Sequence, residues 1–84
     1  MKFSSFDLRK KILVKMVVHR WWGGKHIAFD NISKGFPNEV RKDVKKELEK
    51  LCRGGFIIKK PTGYGLHVSL NVRMKREIDE IVTS

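Results

Sequence analysis

Hydrophobic positions recur every three to four residues near the start of the chain. Leu8, Ile12 and Met16 stand at i, i+4 and i+8, with no proline or glycine between residue 7 and about residue 20. This spacing predicts a first helix, with Ser5 or Asp7 available as its N-cap. Its second half adds Leu13, Val14, Val17 and Val18, so the apolar surface is wider than one stripe and needs covering on more than one side. Such a helix is expected to lie at the centre of the fold or against another chain. The stretch "WWGGKHIAF" then breaks the periodicity at Gly23 and Gly24, and residues 26–29 suit a short extended segment at a sheet edge. Asp30 is placed to cap a short helix over "NISKGF", after which Gly35 and Pro37 force a turn and Asn38 can cap a third helix.

The clearest pattern follows. Over residues 39–53, Val40, Val44, Leu48 and Leu51 fall within an arc of about 80° at the helical repeat, which predicts a helix with a single core face. The opposite arc carries Asn38, Lys42, Lys46, Glu49 and Arg53, with Arg41 and Lys45 on one shoulder. "RGGF" supplies a stop, with Gly54 free to turn left-handed. Beyond it the period changes to two. Phe56 and Ile58 alternate with Ile57 and Lys59, and Leu66, Val68 and Leu70 alternate with His67 and Ser69. A hairpin with one apolar face is predicted, turning through the loop "PTGYG". Asn71 then caps a last helix in which Met74, Ile78, Ile81 and Val82 share a face. The expected class is α+β, in the order helix, strand, helix, helix, strand, strand, helix.

Length and charge narrow what such a fold is for. Eighty-four residues allow one small core, hence a single domain over residues 1–84. Nineteen Lys and Arg against nine Asp and Glu leave a net charge of +10, more than solubility requires, and point to a polyanionic partner. The one cysteine, Cys52, excludes an internal disulfide and fits a reducing, cytoplasmic location. The longest apolar run near the start, residues 12–18, contains Lys15 and is too short to span a bilayer, so no membrane partner is expected.

With its short turn between the second and third helices and a basic hairpin directly after the third, the segment "FDNISKGFPNEVRKDVKKELEKLCRGGFIIKKPTGYGLHVSL" resembles the winged helix-turn-helix family. The resemblance covers roughly residues 7–70 and leaves the C-terminal helix, residues 71–84, as an addition. It implies a third helix, about residues 38–53, that enters the major groove of double-stranded DNA, and a wing, about residues 59–65, that lies along phosphates or a minor groove. Carried over by position, Asn38, Arg41, Lys42, Lys45 and Lys46 belong to the recognition helix, and Lys59, Lys60, Thr62 and Tyr64 to the wing. The implied role is transcriptional regulation or DNA organisation. Two departures bear on this. Residues 37–53 hold six basic and four acidic side chains, a net of only +2, whereas residues 1–29 hold seven basic and one acidic, a net of +6. The electrostatic footprint is therefore expected to include the first helix or the N-terminal arm.

Each feature also has a plainer reading. Gly63, Gly65 and Pro61 are what any tight turn needs, and a charged helix face is usually only solvated. The cluster Arg41, Lys42, Lys45 and Lys46 lies toward the helix start, where the dipole favours acids, which tilts the reading toward phosphate contact, with Asn38 and Arg41 chemically suited to base edges. Trp21 and Trp22 suit base stacking, but core closure is commoner, and at least one is expected in the core. His19, His26 and His67 have no metal-ligand spacing, and no nucleophile motif, phosphate loop or carboxylate pair is present. Neither an enzyme, a cofactor, a metal nor a small-molecule substrate is expected. A homodimer through the first or the last helix, structured RNA in place of DNA, and a protein-docking role remain open.

Overall fold

The computed structural model describes residues 4–84. Helix α1, Ser5–Val18, begins where the Ser4 hydroxyl accepts the Asp7 N–H at 3.1 Å. The cap is thus Ser4 rather than Ser5 or Asp7, and Asp7 falls in the first turn, where its charge suits the positive end of the helix dipole. The helix also stops earlier than the glycines suggest. Arg20 takes a left-handed φ of 59°, its N–H bonds to the carbonyl of Val17 at 3.0 Å, and the Trp21 N–H bonds to that of Met16 at 3.0 Å. This pair of bonds is the Schellman ending, here built without glycine.

The chain then runs beside the sheet. Leu70 N–H donates to Trp21 O at 2.7 Å and Gly23 N–H to Leu70 O at 3.2 Å, before β1, Ile27–Ala28, pairs antiparallel with the later strand β3, Gly65–Leu70. β1 has two residues instead of four because Phe29 already opens α2, Phe29–Lys34. Asp30 therefore sits inside the first turn of α2, two residues beyond the Ala28 cap position. After the turn at Phe36 and Pro37, a 3-10 turn over Asn38–Val40 leads into α3, Arg41–Arg53. The Asn38 side chain does not cap this start; its Oδ1 accepts from Arg41 instead.

Helix α3 ends in the same Schellman pair as α1, with Gly55 N–H to Cys52 O at 3.2 Å and Phe56 N–H to Leu51 O at 3.0 Å. The left-handed residue is Gly55, φ 84°, while Gly54 stays right-handed at −79°. Strand β2, Ile57–Thr62, pairs antiparallel with β3 through a two-residue connection, Gly63 and Tyr64, so the strands extend further than the loop "PTGYG" suggests. The face is also shifted by one. Ile57 is 2% exposed and Ile58 41%, the reverse of the expected phase. Phe56 is consumed by the helix ending, so alternation starts at Ile57, which is paired with Leu70.

The sheet order is β1-β3-β2, which leaves β2 at an edge. Because Asn71 N–H donates to Phe56 O, the peptide groups of Ile58 and Lys60 face β3 and those of Ile57, Lys59 and Pro61 face outward. Pro61 thus sits where its missing N–H costs no ladder bond. A 3-10 turn, Val72–Met74, capped by Asn71 Oδ1 accepting from Arg73 N–H at 3.1 Å, leads to α4, Lys75–Thr83.

These elements form an α+β fold of four α-helices and one three-stranded antiparallel sheet. The inward residues of α1, Leu8, Ile12, Leu13 and Met16, are buried between α3, α4 and β3. Both tryptophans are half-buried and pack on this core. On α1, Phe6 and Val18 are left 52% and 69% exposed. Among the described residues no helix is long and apolar enough to cross a membrane.

One charge lies inside. Glu47 is 3% exposed on the core side of α3; its Oε1 accepts from the Ser5 hydroxyl at 2.5 Å, its Oε2 lies 3.4 Å from Arg9 Nε, and Lys50 Nζ approaches to 3.9 Å. Removing a buried carboxylate leaves the hydroxyl and guanidinium without their acceptor, so Glu47→Ala is expected to cost about 2–4 kcal/mol. Urea unfolding checks this: the midpoint falls with an unchanged slope.

Candidate nucleic-acid interface

The connection between α2 and α3 is held by one side chain. Arg41 Nε donates to Phe36 O at 3.0 Å, Nη2 to Lys34 O at 3.1 Å, and Nη1 reaches Asn38 Oδ1 at 3.4 Å. A single guanidinium thus satisfies carbonyls at the end of α2 and in the following turn, which would otherwise lack donors. Arg41 and Asn38 are part of the fold's framework at this turn. Lys45 lies 3.7 Å from Asp30 across the two helices, both side chains being largely solvated.

Lys42 and Lys46 differ. They are exposed, one turn apart on the side of α3 away from Val44, Leu48 and Leu51, and have no ion-pair partner among the described residues. Arg53 lies on the same line, roughly 16 Å along the axis from Lys42. Two of the four acids that dilute the charge of residues 37–53 are engaged elsewhere. Glu47 is buried, and Glu49 accepts from Lys59 Nζ at 2.8 Å. The outer line is consequently more positive than the +2 of its segment.

The hairpin divides its residues similarly. Lys59 is tied to Glu49, and this hydrogen bond holds its ammonium above the usual lysine range. Lys60 crosses the outer face of the sheet to donate to Gly23 O at 2.5 Å. Thr62 Oγ1 donates to Gly65 O at 2.8 Å and accepts from Tyr64 N–H at 3.1 Å, closing the tip. Tyr64 projects from that tip and is 98% exposed. Of the nine residues carried over by position, Lys42, Lys46 and Tyr64 are presented outward, and Asn38, Arg41, Lys45, Lys59, Lys60 and Thr62 have internal partners.

Between α3 and the start of β2 lies an open cleft of about 410 Å³, lined by Glu49, Cys52, Arg53, Ile58, Lys59 and Asn71 among others. Burial pushes the Cys52 thiol up from its ordinary range, against a smaller opposing pull from Lys59 and with a small addition from Glu49. It is held as a neutral thiol, a poor nucleophile. On the outer sheet face, His26 and His67 meet with their Nδ1 atoms 2.8 Å apart, a pairing not visible in their sequence spacing. Among the described residues, no group of three or more His, Cys, Asp or Glu is arranged to hold a metal ion.

The basic residues of α1 are partly used within the fold. Arg9 bonds Glu47, Lys10 donates to the Ser84 carbonyl, and Lys15 lies 5.9 Å above the Phe36 ring. Lys2, counted in the N-terminal excess, lies outside the described residues. Sequence reasoning missed Glu47 as a structural charge, although its spacing of three from Val44 and four from Leu51 puts it on the apolar arc. No family model, no curated protein and no solved structure matches this chain.

The two roles within one basic cluster separate experimentally. Arg41→Ala, which strips three hydrogen bonds from the turn, is expected to cost about 2–3 kcal/mol, whereas Lys42→Ala on the solvated face stays within about 0.5 kcal/mol. Thermal unfolding of the two variants side by side checks the difference.

Proposed function

We propose that the chain is a winged helix-turn-helix module that binds double-stranded DNA in the cytoplasm, as a small regulator of transcription or a DNA-organising factor. The supporting observation is the outer line of α3, where Lys42 and Lys46 stand exposed and uncompensated while Glu47 is turned inward and Glu49 is neutralised by Lys59. A row of cations on the solvent side of a helix is suited to a groove bordered by phosphates. Arg41 then acts indirectly, by fixing the angle at which α3 leaves the turn. Tyr64, alone at the hairpin tip, supplies an aromatic surface for sugar or phosphate contact. The activity is binding rather than catalysis. Assembly as a homodimer through α1 or α4 fits the exposed Phe6 and Val18 on α1; a monomer in sedimentation at tens of micromolar, roughly the weak-dimer regime, ends that part of the proposal.

The test is fluorescence anisotropy with a labelled random-sequence duplex over a range of salt concentrations, with an RNA duplex of equal length as competitor. Lys42→Ala with Lys46→Ala is expected to weaken binding to all sequences alike and to flatten the salt dependence by about two counterions. Unchanged affinity at low salt removes α3 from the interface. Preferential competition by the A-form RNA duplex moves the partner from DNA to RNA.

A further inference from the structure

α1 and α3 end in the same two-bond motif, which allows a comparison within one molecule. At the position that must turn left-handed, α3 has Gly55 at φ 84° and α1 has Arg20 at φ 59°. A β-carbon there meets a steric penalty that glycine escapes. The negative end of the α1 dipole favours a cation, but Lys15 in the last turn enjoys that field without the backbone cost. The Arg20 side chain is exposed and has no hydrogen-bond or ion-pair partner among the described residues, so nothing within the fold accounts for its choice. Strain kept at an unpartnered side chain is a pointer to function.

The neighbours of Arg20 supply the rest of a site. His19 is exposed and stacks on the Trp21 ring, with centroids 4.5 Å apart and planes 11° from parallel. Trp21 is anchored against the core. The corner is fixed by the Leu70 bonds to Trp21 and Gly23 and by Lys60 on Gly23 O, and exposed Lys25 follows it. We infer that this corner binds an unpaired nucleotide: the base stacks on the free face of His19, extending the His19–Trp21 stack, and the Arg20 guanidinium meets its phosphate. The inference rests on the nucleic-acid reading and adds a second surface to it, at the end of β3 about 17 Å from the hairpin tip. A flat aromatic pair with one open face suits a splayed base, whose faces are free, and not a duplex, whose bases cover one another. An acidic peptide has a use for the charge but not for the ring face.

Trp21 and Trp22 are the protein's two tryptophans, so intrinsic fluorescence reports this corner directly. The full chain is titrated with a single-stranded oligothymidylate about 12 nucleotides long and, separately, with a random-sequence duplex. The single strand is expected to quench the emission. His19→Ala and Arg20→Gly each weaken single-strand binding by about 5–20-fold and change duplex affinity less than about twofold. Lys42→Ala with Lys46→Ala gives the converse pattern. Arg20→Gly also raises the Tm of the free protein by about 2–5 °C, relief of the left-handed strain outweighing the added freedom of the unfolded chain. Single-strand affinity unchanged in both corner variants, or binding without quenching, overturns the corner and leaves the duplex reading intact. Equal quenching by polyglutamate reassigns the corner to acidic polypeptides, and a lowered Tm for Arg20→Gly removes the strain argument. Binding of neither oligonucleotide at low salt overturns both readings together.

Discussion

The carboxylate of Glu47 sits on the apolar side of α3, in the line of Val40, Val44 and Leu51, and is reached from α1 by the Ser5 hydroxyl and the Arg9 guanidinium. A charge in that position is tolerated only with hydrogen-bonding partners, and these partners lie one turn apart on α1. Apolar contacts alone would let the two helices slide, because Leu, Ile and Val surfaces are exchangeable to within a turn. A fixed pair of donors for one carboxylate does not permit that. The register of α1 on α3 therefore sets where the turn before α3 falls, how the following hairpin leaves it, and which side of α3 faces outward.

The same arrangement sorts the excess of cations. Arg9, Lys10, Lys15, Arg41, Lys59 and Lys60 are each engaged with a carboxylate, a carbonyl or a ring inside the fold. Lys42 and Lys46 on α3, and Arg20 and Lys25 at the α1 corner, are not. The basic side chains of the described residues thus divide into a structural share, which ties peripheral segments to the core, and a free share that includes these two separate surfaces. Cations paired with a carboxylate add little to the field a polyanion follows, whereas those held by carbonyls or a ring keep their charge and add to it alongside the free share.

Where periodicity alone decides, the chain was legible. Val40, Val44, Leu48 and Leu51 locate the buried face of α3, and Leu66, Val68 and Leu70 the inward side of β3. Boundaries set by hydrogen bonds were not. Arg20 carries no residue-type signal for a left-handed ending, so the glycines at 23 and 24 drew attention away from the true stop. Phe56, Ile57 and Ile58 form an unbroken apolar run in which either phase is possible until the α3 ending consumes Phe56. In the candidate interface, exposed cations could be named from the helical wheel, but their partners could not. The bonds from Arg41 to Lys34 and Phe36, from Lys59 to Glu49 and from Lys60 to Gly23 depend on how turns and strands meet in space.

Pro61 illustrates what a single missing hydrogen does at the level of many molecules. Its nitrogen faces outward on the free edge of β2, so a visiting strand finds outward donors at Ile57 and Lys59 and none at the next site, and it must also displace Lys59 from Glu49. The bare edge of β2 would otherwise be a template for growth of the sheet. The edge instead ends in an interrupted row guarded by a charge. Copies crowded side by side can therefore touch at this edge without their sheets fusing through β2.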